Sequence, residues 1–144
     1  MSIRALLPFA LCATLALTSC GLRSGPEQAA QAWMNALADG DGMRLAELTC
    51  DSAQGELQTS MTLYSAVGVL SSMFLEGARP QVDVNELDYQ LEREDGETAE
   101  VRITGRLRAG LLMMSGAQQL NVVFPMRFER GAWRLCSVNP RGRS

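Results

Sequence analysis

The hydrophobic pattern of this chain changes period once, near residue 80. From residue 26 to about 76 apolar residues recur every three or four positions, and from Val82 to Val138 they recur every two. A 3.6-residue period buries one stripe of a helix, and a two-residue period buries one face of a strand. Helices first and antiparallel strands after them make an α+β domain, with N-terminal helices packed on a curved four-stranded sheet.

The helical half reads as three segments. Pro26 suits a first helical turn, Ser24 is the expected cap, and Glu27 would complete a capping box. Ala29, Trp33, Ala36 and Leu37 then form one apolar stripe, which Asp39-Gly40-Asp41-Gly42 stops. The four residues faintly resemble a calcium loop but lack its bidentate glutamate, so they read as a stop and a cap. A short second helix from about Gly42 to Thr49 points Leu45 and Leu48 inward, with Asp41 as its cap. Residues 51–76 form the longest helix-compatible run, ended by Gly77-Ala78-Arg79-Pro80. Its stripes are Leu57, Met61 and Tyr64 on one side and Leu63, Val67, Leu70 and Phe74 on the other, a pattern expected of a helix buried on both sides.

In the strand half, Val82 and Val84 face one way and Leu87, Tyr89 and Leu91 continue that face after a one-residue slip at Asn85-Glu86. Such a slip is how a β-bulge reads in sequence. Asp95-Gly96 is a hairpin turn. Val101, Ile103, Gly105, Leu107 and Ala109 alternate with Glu100, Arg102, Thr104, Arg106 and Arg108, a half-buried strand with a basic outer face. Leu120, Val122, Phe124, Met126 and Phe128 make the third inward row. Arg130-Gly131 turns into the strand of Trp133 and Leu135, and Pro125 belongs at an edge or a bulge. Leu111-Leu112-Met113-Met114 is too apolar for a solvated loop. Such a segment fills the cone mouth, contacts lipid or docks a partner, or, as expected here before these, extends its flanking strands into a longer hairpin. A bent sheet of this kind wraps the long helix and makes a cone, with a cavity at its open end.

Residues 1–19 are of a different kind. One charge, Arg4, precedes an uncharged run from Ala5 to Leu17, shorter than the roughly 20 residues of a membrane-spanning helix and of the size of a secretory core. Leu17-Thr18-Ser19-Cys20 follows and resembles the lipobox of bacterial lipoproteins, beside an ordinary cleavage near Ser19 or a signal anchor. That resemblance implies removal of residues 1–19, acylation of Cys20 and a membrane anchor. With Gly21 and not aspartate next, it also implies sorting to the outer membrane, facing the periplasm, in a cell with two membranes. Several acyl chains at about 0.8 kcal/mol per buried methylene would hold the domain firmly. Residues 20–25 are then a lipidated tether, 26–138 the domain and 139–144 a flexible tail.

Composition excludes more than it assigns. The net charge is −3, and removal of Arg4 makes it one unit more acidic, which gives no reason to bind nucleic acid. There is no histidine, the commonest general base and metal ligand. Of the 4 cysteines, Cys12 lies in the leader and Cys20 at the lipobox. Cys50 and Cys136 remain, as a disulfide or as two buried thiols, and export favours the disulfide.

Pro26-Glu27-Gln28-Ala29-Ala30-Gln31-Ala32-Trp33, Ala38-Asp39-Gly40-Asp41 and Gly131-Ala132-Trp133-Arg134-Leu135-Cys136, in this order of elements, resemble the nuclear-transport-factor-2-like (cystatin-like) α+β fold. Together they are similar to the lumazine-binding-like bacterial lipoproteins. The fold hosts isomerases, dehydratases and non-catalytic binding modules, so it does not choose a function. The resemblance implies a cone, for which Trp33, Leu37, Tyr64, Phe74, Tyr89, Phe124 and Phe128 are the pocket-lining candidates by periodicity. We expect a lipid-anchored, non-catalytic domain that binds a small apolar ligand or an envelope protein, without a cofactor or metal. The alternatives are an isomerase-like enzyme using Tyr64 or Tyr89 with Asp83 or Asp88, and a structural protein that forms a homodimer through its sheet. The row Arg102, Arg106 and Arg108 reads as a charged outer face before it reads as an anion site.

Overall fold

A computed structural model describes residues 24–74, 81–111, 114–138 and 141–142. Its elements are α1 (Pro26–Asp39), α2 (Gly42–Glu47), a 3₁₀ turn (Asp51–Ala53), α3 (Gln54–Phe74), β1 (Gln81–Asp95), β2 (Thr98–Leu111), β3 (Met114–Glu129), β4 (Ala132–Leu135) and β5 (Arg141–Gly142). The four main strands form an antiparallel meander in the order β1-β2-β3-β4, curled into a half-barrel with the helices against it. The leader and Cys20, like Leu112 and Met113, lie outside the described residues.

Pro26 opens α1 at its first position, but the cap is Gly25, without a side-chain bond, and not Ser24. Glu27 does not turn back to close a capping box. Its Oε1 accepts from the Leu91 N–H at 3.3 Å, beside an irregularity in β1, and so ties the helix start to the sheet. Gly40 ends α1 in the left-handed region, φ 69°, where a glycine carries no Cβ penalty. Asp41 caps α2 as its position predicts, accepting from the Arg44 N–H at 2.9 Å.

It is α1 that lies across the sheet, touching β1, β2, β3 and β4. The sequence pointed instead to the run 51–76. That run divides at Gln54 into the 3₁₀ turn and α3, and Leu57 and Met61 join the core while Leu63 is 65% exposed. Leu63 therefore departs from the expected second buried stripe, and the side chains of Val67, Leu70 and Phe74 lie outside the described residues. Alanines make α1 the better partner for a curled sheet: Ala29, Ala30 and Ala36 are buried, which brings the helix axis close. Trp33 and Met34 fill what remains.

The inward rows of the sheet match the alternation in the sequence. Val101, Ile103, Phe124, Met126, Trp133 and Leu135 are buried, and Leu107, Leu120, Val122 and Phe128 pack at the margin. β1 carries one extra residue between Asp83 and Glu86, the slip read from Asn85-Glu86, and a second between Leu91 and Arg93. Beside the first bulge, across from Leu87, sits Gly105 at φ 125°, where a Cβ would overlap the Glu86 carbonyl. The bulge bends β1 onto β2, and a glycine is what lets the two backbones approach.

Two tight turns set the register. Asp95 pairs with Thr98 across Gly96, and Glu129 pairs with Ala132 across Arg130 and Gly131, which both have positive φ (53° and 81°) as a type I′ turn requires. β2 and β3 continue in register to Leu111 and Met114, so these two residues of the apolar tetrapeptide extend the strands, while Leu112 and Met113 lie outside the described residues. Pro125 lies inside β3 without a bulge. Its carbonyl accepts from the Cys136 N–H at 2.8 Å, so its missing donor faces the β4 side, in the gap between short β4 and β5. That gap gives it the edge-like position its chemistry needs. β5 arises from the tail expected to fray: Arg141 and Gly142 pair with Val123 and Val122.

Candidate functional site

The residues expected to line a cavity divide between core and surface. Trp33 is 5% exposed, with its ring 6.0 Å from that of buried Phe124, and Leu37 packs at the edge of the same cluster. The space between α1 and the sheet at these positions is therefore filled by side chains. Tyr89 is half-buried, and its hydroxyl has no hydrogen-bond partner among the described residues. Phe128 stands at the rim, edge-on to Trp133 at 5.6 Å. The side chains of Tyr64 and Phe74 lie outside the described residues.

Phe128 and Trp133 form one wall of a groove of about 1050 Å³ at the end of the sheet where α1 begins. The other walls are Ser24 to Gln28, Leu91, Glu94, Gly96 and Glu97. Three carboxylates line it, Glu27, Glu94 and Glu97, and no basic side chain among the described residues does. Its aromatic wall follows from the type I′ turn, whose register sets Trp133 directly across from Phe128. Its acidic wall follows from the β1–β2 hairpin, which brings Glu94 and Glu97 beside the helix start. Phe128 was legible as a candidate, but the carboxylates were not, because their convergence depends on a turn and on where α1 begins.

The enzyme alternative needs a phenol and a carboxylate together. Burial pushes the Tyr89 phenol up to about 12, away from the range of a general base. Asp88 is exposed on the opposite phase of β1, and Asp83 accepts from the Asn85 N–H at 2.9 Å in the first bulge. Two members of the arginine row are engaged with acceptors. Arg102 pairs with Glu92 and donates to Asn121 Oδ1 at 2.6 Å, and Arg108 pairs with Glu86 at 2.6 Å.

A second assembly joins α2 to the edge of β4; its disulfide was expected from the sequence, its hydrogen-bonded part was not. The Leu135 N–H donates to the Leu48 carbonyl and the Cys50 N–H to the Leu135 carbonyl, each at 2.8 Å. Thr49, fully buried between them, accepts from Trp33 Nε1 at 3.0 Å and donates to the Leu45 carbonyl at 2.6 Å. Gln54 Nε2 donates to the Ala46 and Thr49 carbonyls at 2.7 and 3.0 Å. Cys50 and Cys136 stand at disulfide distance, Cα–Cα 4.8 Å, and form the bond. Every buried polar atom named here has a partner, which makes the connection a rigid clasp over an otherwise open strand edge. The hydrogen-bonded part was missed because no period marks a single extended tripeptide between two helices.

The chain matches no model of a known protein family and no curated protein sequence.

Proposed function

We propose that this is an exported lipoprotein whose nuclear-transport-factor-2-like domain binds a small ligand, without catalysis, in the groove beside its tether. The observation that carries the reading is the position of Ser24. It lines the groove, and three residues separate it from Cys20. At about 3.5 Å per residue the tether reaches roughly 14 Å, so an acylated Cys20 keeps the groove within that distance of the lipid headgroups. The leader supports the anchor by its single positive charge, its short apolar core and its Leu-Thr-Ser-Cys ending. The order of helices followed by a curled antiparallel meander supports the fold assignment.

The lining favours an amphipathic cation over a purely apolar molecule. Phe128 and Trp133 offer apolar area and ring faces, and Glu27, Glu94 and Glu97 offer negative charge. A sheet-to-sheet homodimer has less support, since the outer face of β2 carries Arg102, Thr104, Arg106 and Arg108, partly paired within the chain. The test is a thermal-shift panel of alkylammonium, neutral and carboxylate compounds of similar size. The cationic members should raise Tm, and E94Q/E97Q should abolish the preference. Equal binding of all three classes, or of none, contradicts the reading. For the anchor, Cys20→Ser should move the protein from the detergent phase to the aqueous phase, and full retention in detergent would overturn it.

A further inference from the structure

We infer that the clasp is also a redox-gated site for a thiophilic divalent metal, formed by Cys50, Cys136 and Glu129 when the disulfide is reduced. One donor atom of each residue, the two sulfurs and a carboxylate oxygen, lies within 4.8 Å of the other two. A tetrahedral zinc with two thiolates and one carboxylate has metal–ligand distances of about 2.0–2.3 Å, hence donors roughly 3.5–3.8 Å apart. The carboxylate oxygen needs to close in by about an ångström. The two sulfurs, about 2 Å apart while bonded, need to separate by nearly as much again once reduced, and the fourth position takes water.

The backbone keeps the donors together once the sulfur–sulfur bond is gone. The Cys50 N–H is bonded to the Leu135 carbonyl and the Cys136 N–H to the Pro125 carbonyl, each at 2.8 Å. Both sulfurs also face one carbonyl, that of Arg134, at 3.7 and 3.8 Å. Glu129 comes from the end of β3, just before the type I′ turn. Its present contacts are long, 3.6 Å to Arg127 and 3.5 Å from the Asp51 N–H, so the carboxylate is free to turn. Cys50 is fully buried and Cys136 and Glu129 are half-buried, so the metal would enter from the Cys136 side. Arg127 would offset part of the negative charge left by two thiolates and a carboxylate around a divalent ion.

The chemistry is closed by a dithiol reductant. Thiolate attack on the disulfide and resolution by the second thiol transfer two electrons and two protons to Cys50 and Cys136, and the reductant leaves as its own disulfide. Metal binding then displaces both thiol protons to water and forms two sulfur–metal bonds. While the disulfide stands, neither sulfur is a thiolate and the site is closed.

The test uses the full chain in detergent, reduced with a phosphine, with cadmium as the probe and the thiolate-to-metal charge-transfer band as the readout. C50S/C136S subtracts any band due to thiolates elsewhere. The expected result is one cadmium per chain above that background, none in the oxidised protein, and at least tenfold weaker binding in E129Q. Thermal melting of the reduced protein keeps the test independent of folding: cadmium should raise its Tm, or restore a melting transition if reduction abolished one, and E129Q should lose most of that effect. No saturable band above background, or wild-type affinity and wild-type Tm gain in E129Q, would overturn the proposal.

Discussion

Thr49 and Tyr89 are two buried hydroxyls with opposite fates. Thr49 satisfies Trp33 Nε1 while its own proton goes to Leu45, so removing its oxygen strands an indole N–H in the core. Thr49→Val keeps the shape and should cost about 1–3 kcal/mol by urea denaturation, the penalty of a buried donor without a partner. A loss below about 0.5 kcal/mol would mean that the clasp does not depend on this bond. The Tyr89 hydroxyl has no partner among the described residues, so Tyr89→Phe should be neutral or stabilising at pH 7. The same burial makes a pH prediction. The unfolded phenol ionises near pH 10 and the folded one near 12, so the folded state holds its proton longer. Stability from this group is full below pH 10 and is lost as the pH rises from 10 to 12. The difference in stability between wild type and Tyr89→Phe should therefore shift in that window, and parallel curves would contradict the burial of Tyr89.

At the scale of elements, the first bulge of β1 is where β1 bends closely onto β2. Gly105→Ala places a side chain at φ 125° against the Glu86 carbonyl, and should cost on the order of 1–3 kcal/mol or more. An unchanged melting curve would show that β1 and β2 do not approach there. This bulge was legible because it shifts the apolar face by one residue, from Val84 to Leu87. The second, after Leu91, was not, because Leu91 is already 37% exposed and no apolar residue beyond it marks a phase. Turns and the end of α1 were legible from glycine chemistry, and the inward rows of β2 and β3 from strict alternation. Which helix the sheet would hold was not. Length and hydrophobicity favoured residues 51–76, while the sheet selects the alanine-lined α1 by how closely it can pack. The groove was illegible for a related reason: Glu27, Glu94 and Glu97 are ordinary surface acids until two separate elements meet.

At the scale of the molecule, helices and sheet are joined across 86 residues by Cys50–Cys136. Closing a loop of that length contributes up to about 4–5 kcal/mol by restricting the unfolded chain. Cys50→Ser should lower Tm under oxidising conditions, and reduction of the wild type should reproduce much of the loss. No change in either would remove the disulfide from the account. On the proposed reading the groove lies at the tethered end, because the segment that would carry the acylated Cys20 runs into Ser24, which lines the groove. The most direct test is a native mass spectrum of the full-length protein purified gently from the membranes of an exporting bacterial host. The account predicts a chain that begins at Cys20, carries acyl chains and holds a small cationic molecule that leaves on denaturation. An unmodified chain that retains nothing would contradict it.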